Sequence, residues 1–381
     1  MKSAIVVAEG KDIKTIASKN ICSYEINGQT LIEHLFSTLK RVGFDKVFVL
    51  SNDDSMTFQS DEIEKLPYHD SAMMTISSKL DEGELILVLK GNMPLLSEET
   101  INRLVDCCTK QTASKLVHQD GTNTGIFCFK NKGDQEGVPI QVDEEEILCV
   151  SNCSDLAKVS KKLKLAKNEQ LMTQGVHIID PDNTYIADEV IIGEGSIIHP
   201  NVTMTGKTVI GKHCQILTGS NLINAVLGDS VIIDSSKIED SEVGSKTRVG
   251  PYSHLRNYTK IDENVRIGNF VEFKNSNFGK GSKCAHLTYI GDSDVGKDVN
   301  IGCGVVTVNY DGAHKFRTVI KDGAFIGSNV NLIAPVTVGK KALLAAGSTI
   351  TEDVEDGAMG IARSHQCNKA DFGLKYLDKG K

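Results

Sequence analysis

Several features are missing from this 381-residue sequence, and each absence excludes a class of protein. No apolar run reaches the length that a membrane-spanning helix needs, so we expect no membrane insertion. The first residues, MKSAIVVAEG, contain only a short apolar segment and no cleavage pattern, which predicts that no secretory signal peptide is present. We therefore expect a cytoplasmic protein.

Excess positive charge and paired cysteines are also missing. The formal net charge of −8 argues against nucleic acid as the main partner. The ten cysteines are scattered, no CxxC motif occurs, and Cys107–Cys108 is the single close pair. We therefore expect reduced thiols and no metal site held by cysteine.

What the sequence does contain is a six-residue repeat. A period of six fits neither an amphipathic helix nor an alternating strand, but it is typical of a β-solenoid in which each hexad forms one side of a triangular coil. The sequence therefore predicts a parallel β-helix with the repeated residues on its axis and with small residues, glycine among them, at its corners. The repeated positions are Ile186, Ile192, Ile198, Met204, Ile210, Ile216 and Leu222, then Val243, Val249, Leu255, Ile261, Ile267 and Phe273, then Phe278, Cys284, Ile290, Val295 and Ile301, and finally Ile320, Ile326, Leu332, Val338, Leu344 and Ile350.

One segment interrupts this repeat. Between Ile301 and Ile320 the chain reads GCGVVTVNYDGAHKFRT, with no axial hydrophobe and with a basic tip of His314, Lys315 and Arg317. Insertions in repeat folds map to loops on one face, which is often the binding face. We therefore expect an extruded binding loop here, the alternative being a tolerated surface insertion.

Strands and helices alternate in the first half of the chain. Strands are predicted at 4–7, 46–50, 85–89 and within 121–130, and helices at 31–42, after the N-cap Ser97, and at 154–174. This alternation predicts a doubly wound, mostly parallel sheet, in which ligands bind in the loops after Val7 and Leu89. The predicted organisation is an α/β domain at 1–153, a linker helix at 154–175, an all-β solenoid at 176–360 and a tail at 361–381.

Six segments then carry a resemblance to a known family. They are GPYSHLRNYT, GNFVEFKNS, AHLTYIGDSDVG, VNIGCG, VNYDGAHKF and AFIGSNVNLIAPVTVG. In this order and spacing they closely resemble the acetyltransferase segments of the bifunctional N-acetylglucosamine-1-phosphate uridyltransferase / glucosamine-1-phosphate acetyltransferase (GlmU) family. The resemblance spans nearly the whole chain, strongly from about 245 to 365 and weakly before 175. It implies a nucleotidyltransferase-like, Rossmann-like domain, a left-handed hexapeptide β-helix and a homotrimer.

The resemblance also implies roles for particular residues. His286 matches the catalytic base, a role that suits an imidazole because it titrates near working pH. Arg256 and Lys274 match positions that bind the sugar phosphate, and an arginine fork with a lysine charge suits a phosphate monoester. Because these two cations lie one full coil of three hexads apart, we expect them to stack on one face. Tyr289 and Asn300 match positions that contact the sugar.

Acetyl-CoA is the second substrate that the resemblance implies, bound across the edge of the next subunit. The matching positions are Cys303, Asn309, Tyr310, Lys315, Ser328, Ala346 and Arg363, with Cys303 standing where the family has alanine. Lys340 and Lys341 are further candidates to meet the phosphates of CoA. The implied reaction transfers acetyl to glucosamine 1-phosphate, in UDP-N-acetylglucosamine biosynthesis, and this step needs no metal.

The N-terminal half departs from the family where its chemistry should lie. The stretch VAEGKDIKT replaces the glycine-rich LAAGxGxRM, with Asp12 for glycine and Lys14 for arginine. In GNMPL, Asn92 replaces the metal-binding aspartate and brings no charge to Mg²⁺. We therefore predict a degenerate domain without uridyltransferase activity, which would need Mg²⁺ only if it were active. Three positions do match the family's nucleotide and metal contacts, namely Lys19, Asn123 and Asn152.

Four alternative functions are weighed against this one. The enzyme would be bifunctional if Asp12 and Asn92 were tolerated, or an acyltransferase acting on another amino sugar. A zinc carbonic anhydrase needs converging histidines, whereas His254, His286 and His314 are spread along the chain. An inert scaffold has no need of His286 together with Arg256, Lys274 and Tyr289.

Overall fold

The computed structural model describes residues 2–8, 20–58, 60–133 and 136–377 of the chain. The chain divides into two compact units at Gln170–Leu171, with Ile186–Asp188 belonging to the first. None of the helices within the described ranges combines the length and hydropathy that a bilayer crossing requires.

The first unit is built on a seven-stranded sheet with helices between its strands. The strands of the unit, seven in this sheet and two in a separate pair, are β1 (Lys2–Val7), β2 (Glu25–Ile26), β3 (Gln29–Thr30), β4 (Lys46–Leu50), β5 (Ile63–Leu66), β6 (Leu85–Lys90), β7 (Ala113–Val117), β8 (Asn123–Lys130) and β9 (Val138–Gln141). Its helices are α1 (Leu31–Arg41), α2 (Ala72–Lys79), α3 (Glu98–Gln111) and α4 (Cys153–Thr173), and a 3₁₀ turn spans Ile21–Ser23. The sheet order is β5-β4-β1-β6-β8-β7-β9, while β2 and β3 form a separate antiparallel pair.

The centre of this sheet is parallel, as the sequence predicts. Strands β5, β4, β1 and β6 run parallel, whereas β8 is antiparallel to both β6 and β7. Val7 lies opposite Leu50 on one side and Lys90 on the other, so the winding of the chain reverses between β1 and β6. Doubly wound sheets bind their ligands at the carboxyl edge beside such a reversal.

The helices of this unit begin where local sequence signals place them. Thr30 and Glu33 form a reciprocal capping box at the start of α1. The hydroxyl of Ser97 accepts the backbone N–H of Thr100 at 3.1 Å, so the predicted N-cap of α3 is confirmed. Helix α4 covers the stretch where the sequence predicts a helix from 154 to 174.

The second unit is a parallel β-helix whose three sides are here called faces I, II and III. Face I contains His177–Ile178, Ile197–Ile198, Gln215–Ile216, Ile232–Ile233, Arg248–Val249, Asn300–Ile301, Phe325–Ile326, Leu343–Leu344 and Met359–Gly360. Face II contains Tyr185–Ile186, Thr203–Thr205, Asn221–Ile223, Lys237–Glu239, His254–Arg256, Val306–Val308, Asn331–Ile333 and Thr349–Ile350. Face III contains Ile191–Ile192, Val209–Ile210, Val226–Leu227, Glu242–Val243, Lys260–Ile261, Asn277–Phe278, Ser293–Val295, Thr318–Ile320 and Val336–Val338.

Two longer strands, Arg266–Lys274 and Lys283–Gly291, pass around the corner from face I to face II. They join these two faces into one 19-stranded sheet, whereas face III is a separate 9-stranded sheet. A 3₁₀ turn at Pro181–Asn183 lies in the first coil, and a short helix, α5 (Phe372–Leu377), follows the last.

The axis of the β-helix is filled as the repeat predicts. Every residue that the six-residue spacing places on the axis, from Ile186 to Ile350, is buried. Leu227, Ile233 and Ile238 fill the stretch where the spacing slips, and they are buried as well. The predicted axial core is therefore confirmed.

The interruption of the repeat is shorter than the sequence predicts. Val306–Val308 continues face II in register with Asn331–Ile333, which puts Thr307 beside axial Leu332. The buried Thr307 hydroxyl accepts the Gly291 N–H at 2.7 Å and donates to the Gly291 carbonyl at 3.1 Å. The extruded loop therefore comprises only residues 309–317, and the prediction of an interruption from residue 302 was wrong because a polar residue holds one axial position.

Glycine has a different role from the one that the repeat suggests. Many corner residues with positive φ are not glycine, for example Asn224 (φ 50°) and Asp292 (φ 46°). At Gly327, a Cβ atom would lie 2.6 Å from the backbone N of Ala346 and the backbone O of Leu344. Glycine is required there because neighbouring coils approach closely, and not because the backbone adopts a positive φ.

The axial packing makes a direct stability prediction. We expect Ile216→Val, at a fully buried axial position, to lower the free energy of unfolding by about 0.5–1.5 kcal/mol, because it deletes one methylene without repacking. Urea titration followed by circular dichroism measures this change. Gln215→Ser alters the neighbouring outward-facing side chain and should stay within about 0.5 kcal/mol; equal losses would contradict the axial assignment.

Candidate active site

Face II carries the two cations that the spacing places together. Arg256 pairs with Lys274 in parallel register, so the predicted stacking on one face is confirmed. The guanidinium of Arg256 donates to Glu272 Oε1 from Nε at 2.8 Å and from Nη2 at 2.5 Å, and to Asn257 Oδ1 from Nη1 at 3.1 Å. Glu272 therefore orients the arginine fork. Glu272 was not among the predicted site residues, although it lies two positions before Lys274 on the same strand.

The extruded loop brings a third cation to this place. Tyr310 and Lys315 form an antiparallel bridge, and the Phe316 N–H donates to the Asn309 carbonyl at 2.9 Å, so the loop is a tight hairpin. The ammonium of Lys315 lies against that of Lys274, and this contact lowers the pKa of Lys274, with burial adding to the effect. The two ammonium groups repel each other, and an anion bound between them would relieve this repulsion because it is attracted to both.

Arg317 does not belong to this cationic group. Its Nε and Nη2 donate to the two carboxylate oxygens of Asp294 at 2.8 and 2.7 Å. It also donates to the backbone carbonyls of Asn275 and Ser293 at 3.3 and 3.2 Å. The basic tip predicted from the sequence is therefore wrong for Arg317, which anchors the loop.

Tyr289 borders the same cationic group. It pairs in register with Glu272 on face II. A Cβ atom on Gly291 would overlap the Tyr289 phenol, so this glycine lets the ring lie back along its own strand. Burial raises the pKa of the Tyr289 phenol, while a hydrogen bond with Asn309 acts in the opposite direction. The phenol therefore lies close to the foot of the loop.

His286 lies at the corner between faces I and II. It pairs in register with Asn269, and its side chain is exposed, as the spacing from axial Cys284 predicts. Its backbone carbonyl accepts the Gly304 N–H at 3.4 Å. Within the described part of the chain the imidazole has no hydrogen-bond or ion-pair partner, which leaves both ring nitrogens available to a substrate.

Three of the residues assigned to acetyl-CoA continue the corner that His286 begins. The registers Cys284↔Ile301, Ile301↔Ile326 and Ile326↔Leu344, extended by two residues, align His286 with Cys303, Ser328 and Ala346 on successive coils. Arg363 joins this corner column because its Nη1 donates to the Ala346 carbonyl at 2.9 Å. A single corner thus presents the candidate base and four of the candidate cofactor residues.

The remaining predicted residues lie elsewhere in the β-helix. Asn309, Tyr310 and Lys315 are on the loop between faces II and III, beside the cations of face II. Asn300 is on face I, in register with Lys283 and Phe325, so one chain does not bring it to the face of Arg256. Lys340 and Lys341 lie at the corner between faces III and I, away from the corner column.

Comparisons with known proteins decide the family. A family model described as a MobA-like NTP transferase domain matches residues 19–164, and one described as Bacterial transferase hexapeptide (six repeats) matches residues 317–352. Proteins named "Bifunctional protein GlmU" from Geobacillus sp. (strain WCH70) and Clostridioides difficile (strain 630) are each 35% identical to this chain. The alignments cover 97% of both chains in the first case and 96% of both in the second. The chain belongs to the GlmU family.

Membership in the GlmU family confirms the predicted fold, a nucleotidyltransferase-like domain followed by a left-handed parallel β-helix of hexapeptide repeats. The Geobacillus alignment extends over 449 positions, more than the 381 residues of this chain, so that GlmU protein has segments that this chain lacks. Among solved structures, Rv0371c from Mycobacterium tuberculosis H37Rv matches 41% of this chain at 14% identity with a TM-score of 0.34, too low to carry an argument.

Asn92, at the N-terminal sheet edge, stands where the resemblance to GlmU places a Mg²⁺-binding aspartate, and its side chain already has partners within the protein. Asn92 Nδ2 donates to the Val150 carbonyl at 3.1 Å, and Asn92 Oδ1 accepts the Cys149 thiol at 3.5 Å. Both ends of this amide are therefore used to hold the segment at 149–150. Across residues 2–8, 20–58, 60–133 and 136–377, no group of three or more His, Cys, Asp or Glu side chains is placed to hold a metal ion.

The other N-terminal positions that match GlmU also have local partners. Asn123 Oδ1 accepts the Gly125 N–H at 2.9 Å, and Asn152 Oδ1 accepts the N–H groups of Ser154 and Asp155 at 2.9 and 3.0 Å at the start of α4. The remaining predicted positions of the nucleotide loop, Asp12, Lys14 and Lys19, lie outside the described residues.

Proposed function

We propose that this GlmU-family protein transfers acetyl from acetyl-CoA to the amine of glucosamine 1-phosphate, giving N-acetylglucosamine 1-phosphate and CoA. One observation carries the proposal. The corner column that starts at His286 stands beside a face on which Arg256, Lys274 and the loop residue Lys315 converge. A base next to a phosphate-sized cationic group is what acetylation of an amino-sugar phosphate requires.

In the proposed mechanism, Arg256 and Lys274 bind the phosphate, and Tyr289 contacts the sugar. Lys315, which the family resemblance assigns to acetyl-CoA, joins the phosphate site instead, because it lies beside Lys274. His286 accepts the amine proton as the nitrogen attacks the thioester carbonyl, and it returns this proton to the departing CoA sulfur. Cys303, Ser328, Ala346 and Arg363 line the path of acetyl-CoA along the corner column. Asn309 and Tyr310, on the loop between faces II and III, contact the acetyl-CoA that is bound along the corner column of a neighbouring subunit.

We infer that the working enzyme is a homotrimer with sites shared between neighbours. Asn300 supports this inference. It lies on a different face from Arg256 of the same chain, so it would contact only a sugar phosphate that is bound to Arg256 of another subunit. A three-fold ring is the closed arrangement that GlmU membership implies. We also infer a cytoplasmic location, which suits a chain whose ten cysteines are all free thiols.

We further infer that the N-terminal domain has lost uridyl transfer. The occupied amide of Asn92 supports this inference, since a neutral and already bonded group is a poor substitute for a Mg²⁺-binding carboxylate. The alternative is a bifunctional enzyme, which the NTP transferase match and the name of the relatives favour.

A two-part assay on the purified protein tests both inferences. One part follows CoA release from acetyl-CoA with glucosamine 1-phosphate, and the other follows pyrophosphate release from UTP, Mg²⁺ and N-acetylglucosamine 1-phosphate. We expect CoA without pyrophosphate. Both products would establish a bifunctional enzyme. If CoA were released only with a different amino sugar, that sugar would be the acceptor in place of glucosamine 1-phosphate. Absence of CoA release with any amine would leave a binding module or scaffold.

A further inference from the structure

Asp292 lies buried at the corner between faces II and III, near Lys274, but it is not among the predicted site residues. Its two carboxylate oxygens accept from amides on the coils before and after it. Asn275 Nδ2 donates to Oδ1 at 2.5 Å, and Asn309 Nδ2 donates to Oδ2. The three side chains thus form a hydrogen-bonded column across three successive coils.

This column holds both ends of the extruded loop. Asn309 is the first residue of the loop, and its side chain is bonded to the Asp292 carboxylate. At the other end, the Thr318 N–H donates to the Asp292 backbone carbonyl at 3.1 Å. Because the hairpin between these ends carries Lys315 beside Lys274, the position of Lys315 depends on Asp292.

The charge of Asp292 opposes the repulsion within the cationic group. The groups that act on Lys274 are Lys315 and Arg256, which lower its pKa, and Asp292, which raises it. Asp294 does not share this role, because Arg317 already pairs with both of its oxygens. A buried carboxylate at this place therefore helps Lys274 to stay protonated.

We infer that Asp292 is the positioning residue of the acceptor's phosphate site, fixing the loop that carries Lys315 and balancing the charge of Lys274 and Lys315. The inference rests on the proposed function for the identity of the phosphate compound. Asp292 itself does not touch that ligand. Its effect passes through the two lysines and Asn309.

The test compares Asp292→Asn with Asp311→Asn. Both variants remove one carboxylate, but Asp311 lies at the exposed tip of the same loop, where it accepts the N–H groups of Ala313 and His314. We expect Asp292→Asn to raise the KM for glucosamine 1-phosphate roughly tenfold, with a smaller change in the KM for acetyl-CoA. Asp311→Asn should leave both constants within about twofold.

A pH profile separates this role from a merely structural one. Loss of the Asp292 charge should lower the pKa of Lys274 further, so the alkaline limb of kcat/KM for the sugar phosphate should move to lower pH. Loop loosening alone would lower activity without moving that limb. Asn309→Ala, which removes the loop anchor and keeps the carboxylate, should raise the KM without the pH shift.

Direct binding keeps the test independent of turnover. Calorimetric titration with glucosamine 1-phosphate and, separately, with inorganic phosphate should show about tenfold weaker binding to Asp292→Asn than to the parent protein. Circular dichroism and thermal melting verify that each variant is folded. Unchanged phosphate binding together with an unmoved pH limb would overturn the inference, whereas normal phosphate binding by a parent protein that releases no CoA would contradict the proposed function alone.

Discussion

We expect His286→Ala to lower kcat by about 10²–10⁴ while leaving the affinity for both substrates nearly unchanged, the range typical of losing a general base. The expectation follows from position. His286 is exposed, begins the corner column and has no partner within the described residues that would tie its ring to a structural role. Steady-state kinetics of CoA release measure the change.

The control for this prediction is His177→Ala. His177 is also exposed, but it lies in the first coil of face I, far along the β-helix from the corner column. This variant should keep the parent rate within about twofold. Size-exclusion chromatography of both variants checks that the assembly is intact. A rate unaffected by His286→Ala would remove this residue from the mechanism.

The axial core could be predicted from the sequence because burial on the axis selects one residue class at a fixed interval. The exception, Thr307, shows the limit of that rule. A hydroxyl on the axis is stable when it satisfies a backbone N–H and a backbone carbonyl, as the Thr307 hydroxyl does with both backbone groups of Gly291. Because Thr307 is polar, the six-residue repeat could not be recognised in this coil. The loop predicted from the sequence was therefore longer than the observed one.

The position of a side chain around the β-helix could also be predicted, since it follows from counting along the repeat. Arg256 and Lys274 stack because they are separated by one full coil, and His286 faces outward because Cys284 faces inward. Such residues are fixed by periodicity. Residues two positions away on the same strand point to the same side, so Glu272 could have been recognised by the same counting.

The loop could not be predicted in the same way. Its hairpin depends on a hydrogen bond between the side chains of Asn309 and Asp292, which lie one coil apart but are polar and so give no signal in the hydrophobic repeat. The contact between Lys274 and Lys315 depends on that hairpin, and no local sequence signal indicates it. In the first unit, likewise, the role of Asn92 depends on the segment at 149–150, which a motif comparison at residues 91–95 does not include.

The second large effect is expected from Arg256→Ala, which should raise the KM for glucosamine 1-phosphate by roughly 10–100-fold. Two losses combine. The phosphate loses a forked donor, and Glu272 loses the cation that now neutralises it, so an unpaired carboxylate faces the phosphate. Because the guanidinium acts on the phosphate and not on the reacting amine, kcat should fall less than kcat/KM.

Two further variants sharpen this prediction. Arg256→Lys keeps the charge but not the fork, so its KM should lie between those of the parent and Arg256→Ala. Arg248→Ala removes from face I an arginine whose Nη2 lies 3.9 Å from Asp234 Oδ2. This variant should leave the KM for glucosamine 1-phosphate unchanged. If Arg256→Ala altered the KM for acetyl-CoA more than the KM for the sugar phosphate, face II would bind the cofactor, and the acceptor would have to lie along the corner column.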